Sequence, residues 1–201
     1  ATLGILKSHG KILERCELVL DLGSTKSEIM KAAAGINSFV GGHPLAGKAV
    51  SGAEAADASL FSGCVFFLTG CRPCLGKAEK LVKFLGAKPV RIEAASHDRV
   101  LALTSHLPQF ISTSLALLAS ELTEARPGEK YYLGRAVKDM TRLSTSDYAM
   151  WLGIFRSNRK NIIKLIGRYK KILEKLRKHF GGGGFEKEFK KAKEFRETNA
   201  A

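Results

Sequence analysis

The spacing of apolar residues changes character about half-way along the chain. Up to residue 93, short apolar runs bounded by Gly, Ser or Pro alternate with stretches of helical periodicity, as buried strands alternate with helices. The predicted strands are 17–22, 37–40, 65–69 and 89–92. The predicted helices are 3–13, 27–34 and 77–85. Alternating strands and helices are typical of the α/β class, so this part predicts a parallel sheet covered by helices.

From His97 onward the pattern predicts helices and no strand. A long apolar helix covers 100–122, with Pro108 inside it as a kink, and further helices cover 138–145 and 147–179. The last of these carries a one-sided apolar stripe with near-heptad spacing. The stripe consists of Phe155, Ile162, Ile166, Tyr169, Leu173 and Leu176. It predicts an all-α unit that pairs with a second copy of the chain.

The predicted organisation has three parts, and the charge follows the same division. They are an α/β unit at 1–93, an all-α unit at 94–180, and a glycine linker with a basic tail at 181–201. The formal net charge is +14, and residues 156–201 contribute +10 of it through fifteen Lys/Arg and five Asp/Glu. A basic segment suits nucleic acid or an anionic membrane surface. We interpret it as the solvated face of a helix.

Composition narrows the class of protein. The 201 residues, 45% of them apolar, can form one large or two small domains. No apolar run reaches the ~18–20 residues that a membrane-spanning helix needs. The first residues, 1–7, lack the pattern of a secretory signal, and the chain does not begin with Met. We therefore expect a cytoplasmic protein that does not bind a membrane. We also expect the given sequence to begin inside a longer chain.

Four cysteines, Cys16, Cys64, Cys71 and Cys74, bear on redox state and metal binding. Cys71 and Cys74 have the C-x-x-C spacing of zinc and redox sites, but no second pair accompanies them. Free thiols in a reducing cytosol are the favoured interpretation over a metal site or a disulfide. We predict no metal site.

The strongest candidate for chemistry is a histidine among glycines. Residues 41–47 read Gly-Gly-His-Pro-Leu-Ala-Gly, followed by Ser51-Gly52 and Leu60-Phe61. Glycine permits close approach of a backbone, and Pro44 fixes the chain after the imidazole, so we expect His43 in a turn. Imidazole titrates near neutral pH and can accept a proton from a hydroxyl.

This run resembles the GGHPMAG…SG…LF signature of prephenate and arogenate dehydrogenases. Four further segments resemble family motifs in the family's order, and together the five cover roughly residues 15–178. They are Asp21-Leu-Gly-Ser-Thr-Lys26, His97-Asp98, Ser105-His-Leu-Pro108 and Lys138-Asp-Met-Thr-Arg142. Five motifs in order are far more specific than any one of them.

The resemblance implies the chemistry of a cofactor-dependent oxidation. His43 would hydrogen-bond the ring hydroxyl of the substrate, while hydride leaves the same carbon for NAD or NADP and the ring carboxylate leaves as CO₂. Ser24 would serve catalysis and lie near the nicotinamide. The other implied cofactor-binding residues are Lys26, Gly42 and Pro44.

The resemblance also implies a substrate site in the helical part. Arg142 would grip a carboxylate bidentately. The other implied substrate-binding residues are Ser105, His106, Gln109 and Lys138. Asp98 would pair with Lys138 and gate the cleft. Prephenate-specific members commonly carry His where this chain has Gln109, and Gln cannot become cationic, so arogenate stays open as the substrate.

Each of these residues has a structural interpretation beside the functional one. Ser24 could cap the next helix, and Lys26 could lie on the surface. Ser105 and His106 could be a polar pair satisfied inside a helix bundle. Asp98 could form a plain surface salt bridge.

Two features depart from the family's pattern. Residues 48–50 read Lys-Ala-Val, where the family often has a small hydroxyl residue and then Glu. The chain also lacks a glycine-rich dinucleotide fingerprint, so it resembles the second half of a Rossmann-like domain followed by a helical dimerisation domain. We therefore expect the 201 residues alone to transfer no hydride.

The function that this resemblance implies is oxidative decarboxylation of prephenate or arogenate in tyrosine biosynthesis, by a homodimer using NAD or NADP. One alternative is a non-catalytic dimerisation or regulatory remnant of such an enzyme. Nucleic-acid binding is disfavoured, because the basic tail lacks aromatic interleaving and a known binding motif.

Overall fold

The computed structural model describes residues 2–47, 52, 54, 56–126, 128 and 132–199. Residues 48–50 and Ser51 of the sequence motifs lie outside these ranges. The described strands form one sheet in the order β1-β2-β3-β4. They are β1 (Val19–Asp21), β2 (Phe39–Pro44), β3 (Val65–Gly70) and β4 (Lys88–Arg91).

The sheet is mixed. β1 pairs with β2 in parallel, and β3 pairs with β4 in parallel, whereas β2 and β3 run antiparallel with His43 opposite Phe67. The predicted class, an α/β unit followed by an all-α unit, is confirmed. The antiparallel pair is a difference from the expected parallel sheet. Apolar runs do not reveal the direction of pairing, because a buried central strand is apolar in either case.

Helices cover both faces of the sheet. They are α1 (Thr2–Leu13), α2 (Ser27–Ala32) and α3 (Arg72–Phe84). Successive residues of β2 point to opposite faces, so Val40 joins a core with α3 and Phe39 joins a core with α1 and α2. α3 begins five residues before its predicted start, and Gly86 at φ +76 follows its end as predicted.

The helical unit begins with a continuous helix over 94–125. It comprises α4 (Ala94–Leu101), a π-helical segment (Ala102–His106) and α5 (Leu107–Ala125). The π-helical segment ends two residues before Pro108, which lies in the first turn of α5, where its missing N–H is tolerated. The later helices are α6 (Arg135–Thr141), a 3₁₀ turn (Arg142–Thr145), α7 (Tyr148–Ser157), α8 (Arg159–Lys178) and α9 (Gly183–Asn199).

Two helix boundaries correct the sequence prediction. The single helix expected over 147–179 is broken at Asn158, between α7 and α8. The predicted glycine linker is also shorter than expected, because Gly183 and Gly184 begin α9, which covers most of the basic tail.

By length and composition, the continuous helix 94–125 could cross a membrane, with a mean hydropathy of 1.2 in its most apolar window. The prediction that no segment is long and apolar enough is therefore wrong. One such helix is a weak indication, because the core helix of a soluble protein passes the same test. Here the helix contributes the buried residues His97, Asp98 and His106, and Asp98 contacts α2 directly.

Gly41 and Gly42 are required by packing and not by a turn. Both lie within β2, and neither has a positive φ, so the expectation that His43 sits in a turn is wrong. A Cβ on Gly42 would lie 2.6 Å from the carbonyl oxygen of Asp21 and 2.8 Å from the ring of Phe66. β2 is thus held tightly between its neighbours, and this fixes the backbone directly before His43.

We expect Gly42→Ala to lower the free energy of unfolding by ~1–3 kcal/mol, because the added methyl group forces β1 and β2 apart. Urea denaturation measures the change. Gly47→Ala is the matched control, because nothing lies within 4 Å of the position that its methyl group would take. Equal midpoints for the two variants would contradict the packing argument.

Candidate active site

Three side chains form a hydrogen-bonded line from the helical unit to the end of β2. The carboxylate of Asp98 is 2.9 Å from Nδ1 of His97, and Nε2 of His97 is 2.9 Å from Nδ1 of His43. His97 and Asp98 are almost fully buried, whereas His43 is half-buried. Of these three side chains, the line therefore ends at the one that solvent or a ligand can reach, the imidazole of His43.

The line determines where the protons sit when both histidines are neutral. An ionised carboxylate only accepts hydrogen bonds, so Nδ1 of His97 carries its proton and Nε2 presents a lone pair. Nδ1 of His43 must then donate to that lone pair, which leaves Nε2 of His43 unprotonated. A free lone pair on a positioned imidazole is what a general base requires.

The surroundings keep His43 and His106 neutral. Burial lowers the pKa of His43 to about 3, and the neighbouring charges of His97, Lys26 and His106 act in the same direction. Burial likewise lowers the pKa of His106 to about 4. Burial opposes ionisation of Asp98, but hydrogen bonds from His97, Ser27 and Lys26 prevail and lower the pKa of its carboxyl to about 2.

Asp98 joins the two units instead of gating a cleft. Its carboxylate accepts the backbone N–H of Lys26 at 2.8 Å and of Ser27 at 2.9 Å, and so caps the start of α2 from another element. Lys138 is exposed on α6, and in the described part of the chain Asp98 does not pair with it. The expected Asp98–Lys138 gate is absent from this structure, and the alternative of a surface salt bridge is wrong, because Asp98 is buried.

Lys26 is an interior residue. Its side chain is 1% exposed, and its ammonium group forms an ion pair with the carboxylate of Asp21. Burial lowers the pKa of Lys26, against the opposing effect of Asp21. The same carboxylate accepts the backbone N–H of Gly23 at 2.9 Å, so the ion pair shapes the turn after β1. The alternative that Lys26 is a surface residue is wrong, and its contact with a cofactor stays a prediction.

Ser24 lies in the turn between Asp21 and α2. It is half-buried and lines a cavity of about 490 Å³ together with Ile29, Met150 and Gly153. Beside it, the hydroxyl groups of Thr25 and Ser157 are 2.8 Å apart and link the turn to α7. The alternative that Ser24 caps α2 is wrong, because Asp98 performs that role. Ser24 thus remains available to a ligand in the cleft between the units.

His106 belongs to a second buried polar group. Its Nδ1 is 3.1 Å from the side-chain amide nitrogen of Asn158, which also donates to the backbone carbonyl of Asp98 at 2.7 Å. Trp151 packs edge-on against His106, with ring centroids 5.9 Å apart. Within the described residues, Nε1 of Trp151 is buried and has no hydrogen-bond partner. A buried donor without a partner is costly, so this N–H is a candidate contact for a ligand.

Gln109 holds the segment that carries Arg142. Its amide nitrogen donates to the backbone carbonyl of Leu143 at 2.8 Å, and its amide oxygen accepts from the Ser146 hydroxyl at 3.4 Å. Arg142 begins this 3₁₀ turn, and its side chain is exposed. Both the nitrogen and the oxygen of the Gln109 side-chain amide therefore form hydrogen bonds within the protein. Direct contact of Gln109 with a substrate stays a prediction.

The remaining sequence candidates are spread around this centre. Ser105 and Pro44 are half-buried, Gly42 is buried, and Lys138 is exposed. The structure thus brings His43, His106 and Asp98 together and leaves Arg142 and Lys138 on the surface of the helical unit. Cofactor contacts of Gly42 and Pro44 stay predictions.

Sequence reasoning missed three residues of the site: His97 as a partner of His43, and Asn158 and Trp151 as neighbours of His106. The sequence links His97 only to its neighbour Asp98, because 54 positions separate it from His43. Asn158 offered one signal, since Asn is a poor residue for the interior of a long helix and the helix does break there. Nothing in the local sequence distinguishes Trp151 from a core residue.

We expect the free energy of unfolding to fall as the pH is lowered from about 7 to about 4. His43 and His106 have folded pKa values of about 3 and about 4, below the ordinary 6.5, so in that window the unfolded chain binds more protons than the folded one. Each such histidine contributes a slope of up to ~1.4 kcal/mol per pH unit. Urea denaturation at a series of pH values measures it.

Two variants control this pH dependence. His43→Asn should flatten the slope, whereas replacement of the exposed His9 by Asn should leave it unchanged. A stability that is flat between pH 4 and 7 in the unmodified protein would contradict the neutral, buried histidines.

The fold and the site together define an α/β unit followed by a helical unit, with a buried carboxylate–histidine group that links α4 to the end of β2. The family model described as "Prephenate dehydrogenase, nucleotide-binding domain" matches residues 1–90, and that described as "Prephenate dehydrogenase, dimerization domain" matches residues 93–194. The chain belongs to the prephenate dehydrogenase family.

Individual relatives agree with this assignment. The chain is 34% identical over 164 residues to a prephenate dehydrogenase of Lactococcus lactis, covering 79% of this chain and 46% of that protein. It is 29% identical over 191 residues to a prephenate dehydrogenase of Bacillus subtilis, covering 90% of this chain and 52% of that protein. The chain thus spans about half the length of these curated relatives.

Solved structures show the same architecture. Prephenate dehydrogenase from Aquifex aeolicus, in complex with hydroxyphenyl propionate and NAD⁺, superposes with a TM-score of 0.85 at 29% identity, over 98% of this chain and 72% of that chain. The arogenate dehydrogenase of Synechocystis superposes with a TM-score of 0.80 at 20% identity, over 98% and 81%. The second likeness concerns the fold alone.

Proposed function

We propose that the whole protein is a cytoplasmic oxidoreductase of tyrosine biosynthesis. It oxidatively decarboxylates prephenate to 4-hydroxyphenylpyruvate, or arogenate to tyrosine, with NAD or NADP. Family membership and the names of the relatives support the reaction class. The observation that carries the proposal is the line Asp98–His97–His43, which leaves one unprotonated imidazole nitrogen at the junction of the two units.

In this proposal His43 handles the proton of the ring hydroxyl. Nε2 accepts that proton as the carbon–oxygen bond gains double-bond character. When bound, NAD or NADP supplies the acceptor for the hydride on the same carbon. The ring carboxylate then leaves as CO₂, its bonding electrons make the ring aromatic, and the oxygen takes its proton back as a phenol. Asp98 and His97 hold the imidazole in the required tautomer throughout.

We propose that the cleft beside Ser24 receives the nicotinamide end of the cofactor. Ser24 is half-buried and lines this cleft, and Pro44 is half-buried at the end of β2, whereas Lys26 and Gly42 are interior residues. Two backbone N–H groups at the start of α2, those of Lys26 and Ser27, already donate to Asp98, so these two are not offered to a pyrophosphate. The 201 residues also carry no glycine-rich fingerprint, and we propose that by themselves they transfer no hydride.

The test is a steady-state assay of the full-length protein with prephenate and with arogenate, each with NAD⁺ and NADP⁺. Reduction of one nucleotide at the rate of product formation is the expected result. The isolated 201-residue chain, folded by circular dichroism, should show no turnover. Turnover by that chain would refute its proposed inactivity. A full-length protein that oxidises neither substrate would favour a non-catalytic remnant.

We expect Arg142→Ala to raise KM for the substrate in the full-length protein. An exposed guanidinium on the 3₁₀ turn can hold a substrate carboxylate, and a charge-assisted hydrogen bond of this kind is worth ~1.5–3 kcal/mol, which corresponds to a ~10–150-fold effect. The KM for the nucleotide should not change. Arg135→Ala is the matched control, because Arg135 is an exposed arginine of the preceding helix, α6. An unaltered KM for both substrates in Arg142→Ala would refute the role.

We propose that substrate choice depends on the neutral residue at 109. A cationic imidazole there would repel the ammonium group that distinguishes arogenate from prephenate, and Gln109 cannot do so. Gln109 forms two hydrogen bonds to the segment that follows Arg142. These bonds support an indirect effect on substrate choice, in which Gln109 sets the position of the Arg142 guanidinium. The roles of Ser105, His106 and Lys138 in substrate binding belong to the same proposal.

We propose a homodimer that forms through the helical unit, with the division of the chain near residue 93 as its boundary. Support comes from the family description of residues 93–194 as a dimerization domain. It also comes from α5, where Leu117, Leu118 and Leu122 are 61%, 51% and 60% exposed. In the predicted stripe, Ile162 is buried within the chain itself, so α5 is the stronger candidate for the interface.

A further inference from the structure

The N-terminus of α3 carries two thiols that converge on one backbone oxygen. Cys71 is the N-cap residue of α3, and Cys74 lies in its first turn. The sulfur of Cys71 is 3.4 Å from the carbonyl oxygen of Asn37, and the sulfur of Cys74 is 3.0 Å from the same oxygen. Because both S–H groups donate to one acceptor, the two sulfur atoms lie on the same side of the helix start.

The backbone of this segment suits a bond between the two sulfurs. Cys71, an extended N-cap residue, and Cys74, three positions later in the first turn, lie on the same side of the helix start. Disulfides need Cα atoms within ~4.4–6.8 Å, which the first turn of a helix provides. Pro73 lies between the cysteines and restricts the segment to this conformation.

The two thiols are chemically unequal. The backbone N–H of Cys74 lowers the pKa of the Cys71 thiol, and so does the Cys74 thiol, whose one hydrogen turns from the Asn37 carbonyl to the Cys71 sulfur once Cys71 has lost its proton. Donation to Cys71 raises the pKa of Cys74. The N-terminal end of a helix favours a thiolate as well. One sulfur is therefore the readier nucleophile, and the other keeps its proton.

Metal binding is the competing use of such a pair. A structural zinc site takes four ligands, usually Cys and His. Within the described residues, no group of three or more His, Cys, Asp or Glu side chains is placed to hold an ion. Cys16 lines the same cavity, but its sulfur is directed to the carbonyl of Ile12. Among the described residues the pair therefore has no further ligands, and dithiol chemistry is the use that they support.

The pair is open to small molecules and separate from the site around His43. Cys71 is exposed, and it borders a cavity of about 660 Å³ that Met30, Asn37 and Cys74 also line. Asn37 precedes β2, whereas His43 lies near its other end. The dithiol and the proposed catalytic base thus occupy opposite ends of one strand.

We propose that Cys71 and Cys74 are a redox-active dithiol, oxidised reversibly to an intrachain disulfide by low-molecular-weight disulfides such as glutathione disulfide. The thiolate of Cys71 attacks one sulfur of the small disulfide, and one thiolate of the small molecule leaves. Cys74 then gives up its proton and attacks the Cys71 sulfur, which expels the second small thiol. The chain loses two electrons and two protons in total, and the small disulfide gains them as two thiols.

Oxidation removes both hydrogen-bond donors from the carbonyl oxygen of Asn37. That carbonyl lies shortly before β2, the strand that ends with His43 and Pro44. The redox state of the dithiol therefore acts on the start of the strand that positions the proposed base.

The test is mass spectrometry of the reduced full chain after incubation with glutathione disulfide and acid quenching. The unmodified protein should lose the mass of two hydrogens, with Cys71 and Cys74 joined in one peptide. Cys74→Ser should instead gain one stable glutathionyl group at Cys71, because the attacking thiol remains and the resolving thiol is gone. Dithiothreitol should reverse both changes.

Two further variants serve as controls. Cys71→Ser should leave Cys74 largely unreacted, and Cys16→Ser, which removes another exposed cysteine, should preserve the loss of two hydrogens. Iodoacetamide at pH 6.5 should alkylate Cys71 ~10-fold faster than Cys16. Circular dichroism checks that each variant is folded.

Two results would overturn the proposal. One is a stable glutathionyl adduct on the unmodified protein with no 71–74 disulfide. The other is an equal alkylation rate for Cys71 and Cys16. Neither measurement depends on oxidation of prephenate or arogenate, so the proposed enzyme activity can fail or succeed independently.

Discussion

Replacement of His43 by Asn is expected to lower kcat of the full-length protein by ~10²–10⁴, with little change in KM. Asn has a similar size and retains polar atoms, but its amide cannot accept a proton near neutral pH. The side chain at 43 would still occupy the junction, so substrate binding persists while proton transfer is lost. Steady-state kinetics with saturating nucleotide separate the two parameters.

The control for this variant is His9→Asn, which changes an exposed histidine of α1 and should leave kcat unchanged. Thermal unfolding of both variants checks that the fold is intact. If His43→Asn turned over at the unmodified rate, His43 would not be the base, and the line of hydrogen bonds behind it would have a structural role only.

Replacement of Asp98 by Asn is expected to lower both stability and kcat. The carboxylate accepts the backbone N–H groups of Lys26 and Ser27 and the Nδ1 proton of His97, and an amide presents only one oxygen to these three donors. Leaving buried donors without an acceptor costs ~2–4 kcal/mol in the free energy of unfolding. Without the carboxylate, His97 can adopt the other tautomer, in which its Nε2 carries the proton and no longer accepts from Nδ1 of His43. This loss should lower kcat by ~10² or more.

The kinetic readout distinguishes positioning from mere destabilisation. At a temperature where Asp98→Asn is fully folded by circular dichroism, kcat should still be reduced and its pH profile shifted, while KM changes little. Asp139→Asn is the control, because Asp139 is an exposed carboxylate paired at 3.5 Å with Arg135 on the surface of α6. A folded Asp98→Asn protein with an unchanged kcat and pH profile would contradict the role of the line.

Local sequence was informative where one short segment makes its own structure. The strand that leads to His43, the helix that ends before Gly86 and the change from α/β to helical structure could all be predicted, because each follows from the periodicity or turn chemistry of a few neighbouring residues. The family could be predicted as well, because its motifs are contiguous.

The errors concern side chains whose partners lie far along the chain. Lys26 looks equally suited to the surface or to a cofactor, and only the nearby carboxylate of Asp21, in a site closed by other elements, makes it interior. Asp98 looks like a gate or a surface ion pair, but it caps a helix 71 positions away. Asn158 ends a helix because its side chain reaches Asp98 and His106.

The sequence by itself determined the class of fold, the family and the residue that most resembles a general base. Only the tertiary structure decided that His43 lies in a strand, that Gly41 and Gly42 are there for packing, and that Asp98 and His97 set the proton positions of His43. The physical reason is that periodicity and turn propensity are short-range properties of the backbone. Burial, hydrogen-bond partners and tautomers arise only when distant segments are brought within ~3 Å of each other.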